Sequence, residues 1–206
     1  MKDLPSAANL RQSFEAAALE IILTLAPMNK IPQTVFQQAF MGGVLLFAGY
    51  LAMYVMSFEL LLSAWTSLFI LATVVVVMVK SLLEVRKQED PLNFGRAFML
   101  ALLGGWLARL GYNVFNVLLF NVMRPDLKEA YAGLVIDKME AAMASFSVGM
   151  EAAGIDVAEM NAALIDSLSI QGQLVDWLSS VFFLALLALI VAAILKRAPQ
   201  SSQFEG

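Results

Sequence analysis

Four apolar runs, each long enough to cross a lipid bilayer as a helix, constrain this chain more than any other feature of its sequence. Hydrocarbon offers no hydrogen-bond partner to a peptide group, so about 20 apolar residues must coil into a helix to span roughly 30 Å. Between Gln37 and Val79 the only charged residue is Glu59. At about 1.5 Å per residue that stretch is roughly 64 Å long, room for two spans and a tight turn. We divide it at Ser57, Phe58 and Glu59, which predicts spans over residues 37–57 and 60–79. A third span over residues 98–122 lies between Arg96 and Arg124 and holds one charge, Arg109. A fourth over residues 177–195 holds none and stops at Lys196 and Arg197.

Composition agrees with a lipid solvent, since 60% of the chain is apolar and 15% charged, where soluble chains average about 45 to 50% and about 25%. The net charge of -4 argues against nucleic acid as a partner, because phosphate requires a basic face. The chain has no cysteine and no histidine. Disulfides, thiolate metal sites and iron–sulfur clusters are thereby excluded, as are thiol nucleophiles and the commonest general base. No Gly-rich phosphate loop is present, and no serine has a base at an evident spacing. The expectation is a non-enzymatic protein with no cofactor.

The predicted fold class is all-α: a four-helix transmembrane bundle with an extramembrane helical hairpin between the third and fourth spans. Residues 1–35 form an N-terminal extension, residues 36–198 the membrane domain and residues 199–206 a polar tail. In the extension, the apolar run Ala16 to Ala26 is too short to span and is ended by Pro27; Glu20 inside it speaks against a signal peptide. Leu10, Phe14, Ala17, Ile21 and Leu25 recur at helical spacing, which predicts a helix along the membrane surface.

Lysine and arginine are retained in cytoplasmic loops. Lys80, Arg86, Lys87 and Arg96 join the second span to the third, and Lys196 and Arg197 follow the fourth, which places both regions on the cytoplasmic side of a bacterial inner membrane. With four spans the N-terminus, carrying Lys2, Arg11 and Lys30, is cytoplasmic too. The acidic loop over residues 124–173 then faces the periplasm. Its hairpin over residues 125–172 starts at Pro125, has an apolar face of Leu127, Tyr131, Leu134, Val135, Ala142 and Phe146, breaks at Gly154 and resumes behind Asp156. Gln171 and Gly172 are expected to separate it from the fourth span.

The third span opens with Asn93-Phe94-Gly95-Arg96-Ala97-Phe98, similar to a Ser-Phe-x-x-Ala-Phe motif, and closes with Phe120-Asn121-Val122-Met123-Arg124-Pro125-Asp126. A methionine-rich amphipathic helix, a glycine before an acidic helix start, and a last span ending Ala193 to Arg197 follow. In order and spacing the chain, over roughly residues 36 to 198, resembles the bacterial domain of unknown function 4199 family of small integral membrane proteins. That resemblance implies topology and location and brings no catalytic residue with it. Residues 1–35 fall outside it.

Arg109 near the middle of the third span is the leading candidate for an intramembrane polar site, because a charge there costs about 2.5 to 3.5 kcal/mol on insertion scales. Tyr112, Asn113 and Asn116 continue its face as a polar stripe. The stripe reads either as a site for an anion or lipid headgroup, or a gating pair with Glu59 or Asp176, or as helix glue in which Arg109 bonds carbonyls or snorkels. Neither carboxylate is expected at mid-depth. Gly104, Ala108 and Gly111, with Ala185, Ala188 and Ala192, have the spacing of close helix packing, and Gly42-Gly43 that of a kink or a tolerated pair. Met139, Met143, Met150 and Met160 form a candidate adaptable outer surface, with core packing as the plainer reading.

These features predict an uncharacterised multi-pass membrane protein that interacts with lipid, with a membrane-protein partner or with itself as a homo-oligomer. The alternative is a small permease or transport-accessory protein built on Arg109, Asn113 and Asn116.

Overall fold

A computed structural model describes residues 31–87, 92–144 and 156–195. The surface helix expected within residues 1–30, Phe146, Met150, Gly154, Lys196, Arg197 and the polar tail lie outside the described residues. Among the described residues the regular structure is entirely helical: α1 (Gln33–Met56), α2 (Ala64–Arg86), α3 (Phe94–Leu118), α4 (Leu127–Ala144), α5 (Val157–Ser167) and α6 (Ile170–Leu195).

α2, α3 and the shorter α5 start on side-chain caps. Pro32 precedes α1 in extended conformation. The Ser63 hydroxyl accepts from the Thr66 amide at 3.3 Å, and Asn93 Oδ1 from the Gly95 amide at 3.4 Å. The Asp156 carboxylate accepts from the Ala158 and Glu159 amides at 2.8 and 3.2 Å. Ser57 and Ser63 are both extended and bracket a 3-10 turn, Phe58–Leu62, between α1 and α2. The second span therefore starts at Ala64 rather than residue 60, and it runs on through Lys80 to Arg86. α3 continues as a π-helical turn, Leu119–Met123, in which the Arg124 amide reaches the Leu119 carbonyl at 2.8 Å.

α6 begins seven residues earlier than expected, at Ile170 instead of residue 177. The break falls at Leu168 and Ser169, where the Ser169 hydroxyl accepts from the Gly172 amide at 3.0 Å. Gly172 lies inside the helix, so it is no separator. A Cβ there would collide with the Asp166 carbonyl and stand 2.6 Å from the Ser167 Cα, so glycine is what lets the new helix leave so close to the end of α5.

α1, α2, α3 with its π turn, and α6 are each long and apolar enough to cross a membrane. They form a four-helix bundle in which α3 packs on the other three. One core cluster joins Val35, Leu46, Val74, Met78, Trp106 and Leu184 along most of the bundle. A second, aromatic cluster joins Tyr50, Phe115 and Phe120 at the end toward α4. The perimeter is apolar too: Phe40, Val55, Trp65 and Ile194 are all exposed. A water-soluble bundle does not display such a surface, and hydrocarbon makes it stable, so the chain is a membrane protein.

Glycines let the spans approach. A Cβ on Gly111 would overlap the Gly43 carbonyl and lie 2.7 Å from the Gly43 Cα, so α1 and α3 meet backbone to backbone. A Cβ on Gly42 would strike Val77 of α2, which makes Gly42-Gly43 a packing site rather than a kink. Ala108, Ala188 and Ala192 are fully buried between spans. α4 lies beside α5. It is fastened by Tyr131, edge-on to Phe58 and Phe120 at 6.2 and 5.2 Å, and by Lys138 Nζ, which donates to the Leu62 carbonyl at 2.9 Å.

Candidate intramembrane polar site

The polar stripe of α3 faces α6. Arg109, Asn113 and Asn116 are three and four residues apart, so the 3.6-residue period sets them on one side of the helix. On α6, Gln173, Asp176 and Ser180 share a side for the same reason. Arg109 Nη2 donates to Asp176 Oδ2 at 3.0 Å and Oδ1 at 3.3 Å. Asn113 Nδ2 lies 3.2 Å from Asp176 Oδ2, 3.1 Å from the Gln173 carbonyl and 3.3 Å from Gln173 Oε1. Asn116 Nδ2 donates to Gln173 Oε1 at 3.4 Å, and Gln173 Nε2 to the Ser167 carbonyl at 3.0 Å.

Below and above this layer two further contacts tie the same helices. Trp106 and Trp177 stack with centroids 4.0 Å apart and planes at 8°. Each indole N–H donates to the other residue's carbonyl, at 3.0 and 3.1 Å. The Asn121 amide donates to the Leu168 carbonyl at 3.0 Å, and its oxygen accepts from Lys128 Nζ at 2.9 Å. Tyr112 leaves the α6 side: its ring lies 5.7 Å from the Arg109 guanidinium and edge-on to Tyr50 of α1 at 4.8 Å.

An arginine within a span is tolerated because a carboxylate neutralises it and amides solvate the pair. Arg109 and Asp176 side chains are 20% and 44% exposed, so the carboxylate is the more open partner. Asn113 and Asn116 are buried. Arg109 Nε and Asn113 Oδ1 are buried without a hydrogen-bond partner among the described residues. Of the two carboxylates weighed as partners, Asp176 pairs with Arg109. Glu59 sits exposed in the 3-10 turn. The bonding of Arg109 to backbone carbonyls is replaced by this ion pair.

Gln173, Trp106 and Trp177 belong to the site although sequence reasoning did not name them. Their signal was the spacing of Gln173, Asp176, Trp177 and Ser180, hidden because the fourth span was started at residue 177. Of the outer methionines, Met139 is exposed, Met143 and Met160 are half-buried, and none of these three joins either core cluster.

Outside the spans, Arg124 grips Asp126 through Nε and Nη2 at 3.0 and 2.7 Å. That bond holds the Asp126 carboxyl below its usual range. Burial pushes the Tyr131 phenol up to about 12, with Tyr112 and Asp176 adding to it.

No curated protein and no solved structure matches the chain. A family model described as "Protein of unknown function (DUF4199)" matches residues 37–197, a stretch that holds the four spans except the first four residues of α1, both partners of the ion pair and the helices between them. The chain belongs to the DUF4199 family.

Proposed function

We propose that this chain is a non-enzymatic protein of a bacterial inner membrane that binds lipid at the surface of its bundle. Its termini are cytoplasmic, following the lysines and arginines around α2, α3 and the end of α6. The helices α4 and α5 lie outside the hydrocarbon on the periplasmic side.

One observation carries this reading. Between α1 and α3 runs a groove of about 410 Å³ lined by ten residues, among them Phe36, Phe40, Val44, Phe47, Leu107 and Val114, without one polar side chain. The close approach of Gly43 to Gly111 forms its floor. A lipid chain fills such a groove without desolvating any polar group, whereas a hydrogen-bonding substrate would find no partner in it. The amides of the polar stripe are meanwhile engaged with Gln173 and Asp176, which supports their role as helix glue.

The test is lipid retention by the purified chain, read by native mass spectrometry after mild detergent extraction. Wild type retains phospholipid, and Val44→Trp with Val114→Trp, which fills the groove, retains less. Equal retention by both proteins, or none by wild type, would overturn the proposal.

A second reading, a small permease, is favoured by Arg109 Nε and Asn113 Oδ1, which have no partner among the described residues, beside a half-open Asp176. It requires a water path to the stripe. Asn113→Cys in this cysteine-free chain then reacts with a charged thiol reagent in membranes; lack of reaction excludes the path.

A further inference from the structure

We infer that the Arg109–Asp176 pair is a binding site for a zwitterion that carries a primary ammonium and a phosphate, the chemistry of a phosphoethanolamine lipid headgroup. The inference rests on the reading above that the bundle binds lipid and adds a second place for it: the groove residues Leu107, Gly111 and Val114 face α1, whereas Arg109 faces α6 from the opposite side of α3.

Depth comes first. Asp176 stands nineteen residues from Leu195, about 28 Å along α6 at 1.5 Å per residue. Hydrocarbon is about 30 Å thick, so with Leu195 at one boundary the carboxylate reaches the other, where headgroups lie.

Charge comes second. Asp176 opposes Arg109 at 3.0 Å, so the site is neutral overall and gives a simple anion little gain. A ligand approaching from outside the bundle meets the carboxylate, 44% exposed, before the guanidinium, 20% exposed.

Unused hydrogen-bonding capacity comes third. Asp176 Oδ1 accepts one long contact of 3.3 Å, from Arg109, while Oδ2 accepts from both Arg109 and Asn113. A carboxylate has about four lone-pair positions, so Oδ1 has room for an N–H donor. The guanidinium has five N–H donors, and Nη2 alone is engaged among the described residues. An ammonium on Oδ1 and a phosphate on a guanidinium N–H that Asp176 does not take complete both groups without breaking the ion pair. The Tyr112 ring, 5.7 Å away, holds the guanidinium in place.

The full chain is reconstituted in vesicles of equal parts phosphatidylethanolamine, phosphatidylcholine and phosphatidylglycerol, extracted, and its retained lipids counted by native mass spectrometry. Wild type is expected to retain phosphatidylethanolamine over phosphatidylcholine, whose nitrogen carries no N–H, and over phosphatidylglycerol, which has no cation. Asp176→Asn lowers that preference about tenfold, the size of one charge-assisted hydrogen bond, and Asp176→Glu keeps it. The charge-free double variant Arg109→Leu with Asp176→Leu loses the preference while helical content by circular dichroism stays, which separates recognition from folding. Soluble phosphoethanolamine added as competitor distinguishes the sources: displacement assigns the site to the free headgroup chemistry, and persistence assigns it to the lipid. Retention of lipid with no headgroup order, or with the same order in Asp176→Asn, overturns this inference and leaves the lipid-binding reading standing. Absence of any retained lipid overturns both.

Discussion

Replacing Asp176 by Leu while Arg109 stays removes the only acceptor of Arg109 Nη2 among the described residues and one acceptor of Asn113 Nδ2. Two charges 3.0 Å apart interact by about 5 kcal/mol at an effective dielectric of 20. Exposure of 44% on the carboxylate side and the cost of desolvating both ions cancel more than half of that. A net loss of about 2 kcal/mol remains, near the upper end of interhelical hydrogen bonds in membranes and within the insertion cost of an unpaired arginine. Arg109→Leu alone costs less, about 1 kcal/mol, because an unpaired carboxylate near the boundary is hydrated more easily than a buried guanidinium. The double variant, with neither charge, is expected within about 1 kcal/mol of wild type, so the coupling energy is about 3 kcal/mol. Unfolding by sodium dodecyl sulfate in mixed micelles measures all four proteins, with the stacked Trp106–Trp177 pair as a fluorescence reporter. Additive single effects, or a loss under about 0.5 kcal/mol for Asp176→Leu, would refute the reasoning that the pair holds α3 to α6.

Four further outcomes are expected. Gly111→Ala drives a methyl into the Gly43 backbone, which no rotamer relieves, and costs about 2 kcal/mol in the same assay. Gly95→Ala and Gly133→Ala, whose added carbons meet nothing within 4 Å, are neutral or stabilising. Tyr131 titrates near 12 against a usual value near 10, so its contribution to stability is complete below pH 10 and is lost as pH rises through 12. Tyr131→Phe should therefore flatten the alkaline fall of the unfolding midpoint, and an unchanged slope would sink the assignment. A reporter enzyme fused after Arg197 is active only in the cytoplasm; activity outside reverses the orientation.

How much could be read without coordinates depended on the kind of signal. The four spans were legible because each must satisfy a length and a polarity that few other segments meet. Helical class followed from the same signal, and the family from the order and spacing of the motifs at the ends of the third and fourth spans. Pairing was less legible, since helical period assigns Arg109, Asn113 and Asn116 to a face but says nothing about what stands opposite. Both Glu59 and Asp176 qualified by charge, and what separates them is a 3-10 turn that leaves Glu59 exposed. The start of α6 was missed because Gln171, Gly172, Gln173 and Asp176 have the composition of a loop. In the fold Gln173 and Asp176 answer Asn113, Asn116 and Arg109, so those polar residues complete a helix instead of ending one.

The register of α3 on α6 resolves why an arginine at the centre of a helix need not lie at the centre of a membrane. Arg109 stands fifteen residues from Phe94 and fourteen from Met123, midway along a 30-residue helix. Yet its partner, Asp176, is six residues from the start of α6, and Asn121 is already level with Leu168, before α6 begins. The last two turns of α3 therefore rise past α6 into the layer of α4 and the aromatic cluster around Phe120 and Tyr131. At about 45 Å, α3 exceeds the hydrocarbon by about 15 Å, and the register puts that surplus on the side of α4. Arg109 then falls nearer the headgroups than helix length alone implies. Shortening α3 by one turn below Arg109, between Phe98 and Trp106, would draw the charge deeper and break its register with Asp176, whereas losing a turn above Asn116 would leave the ion pair intact.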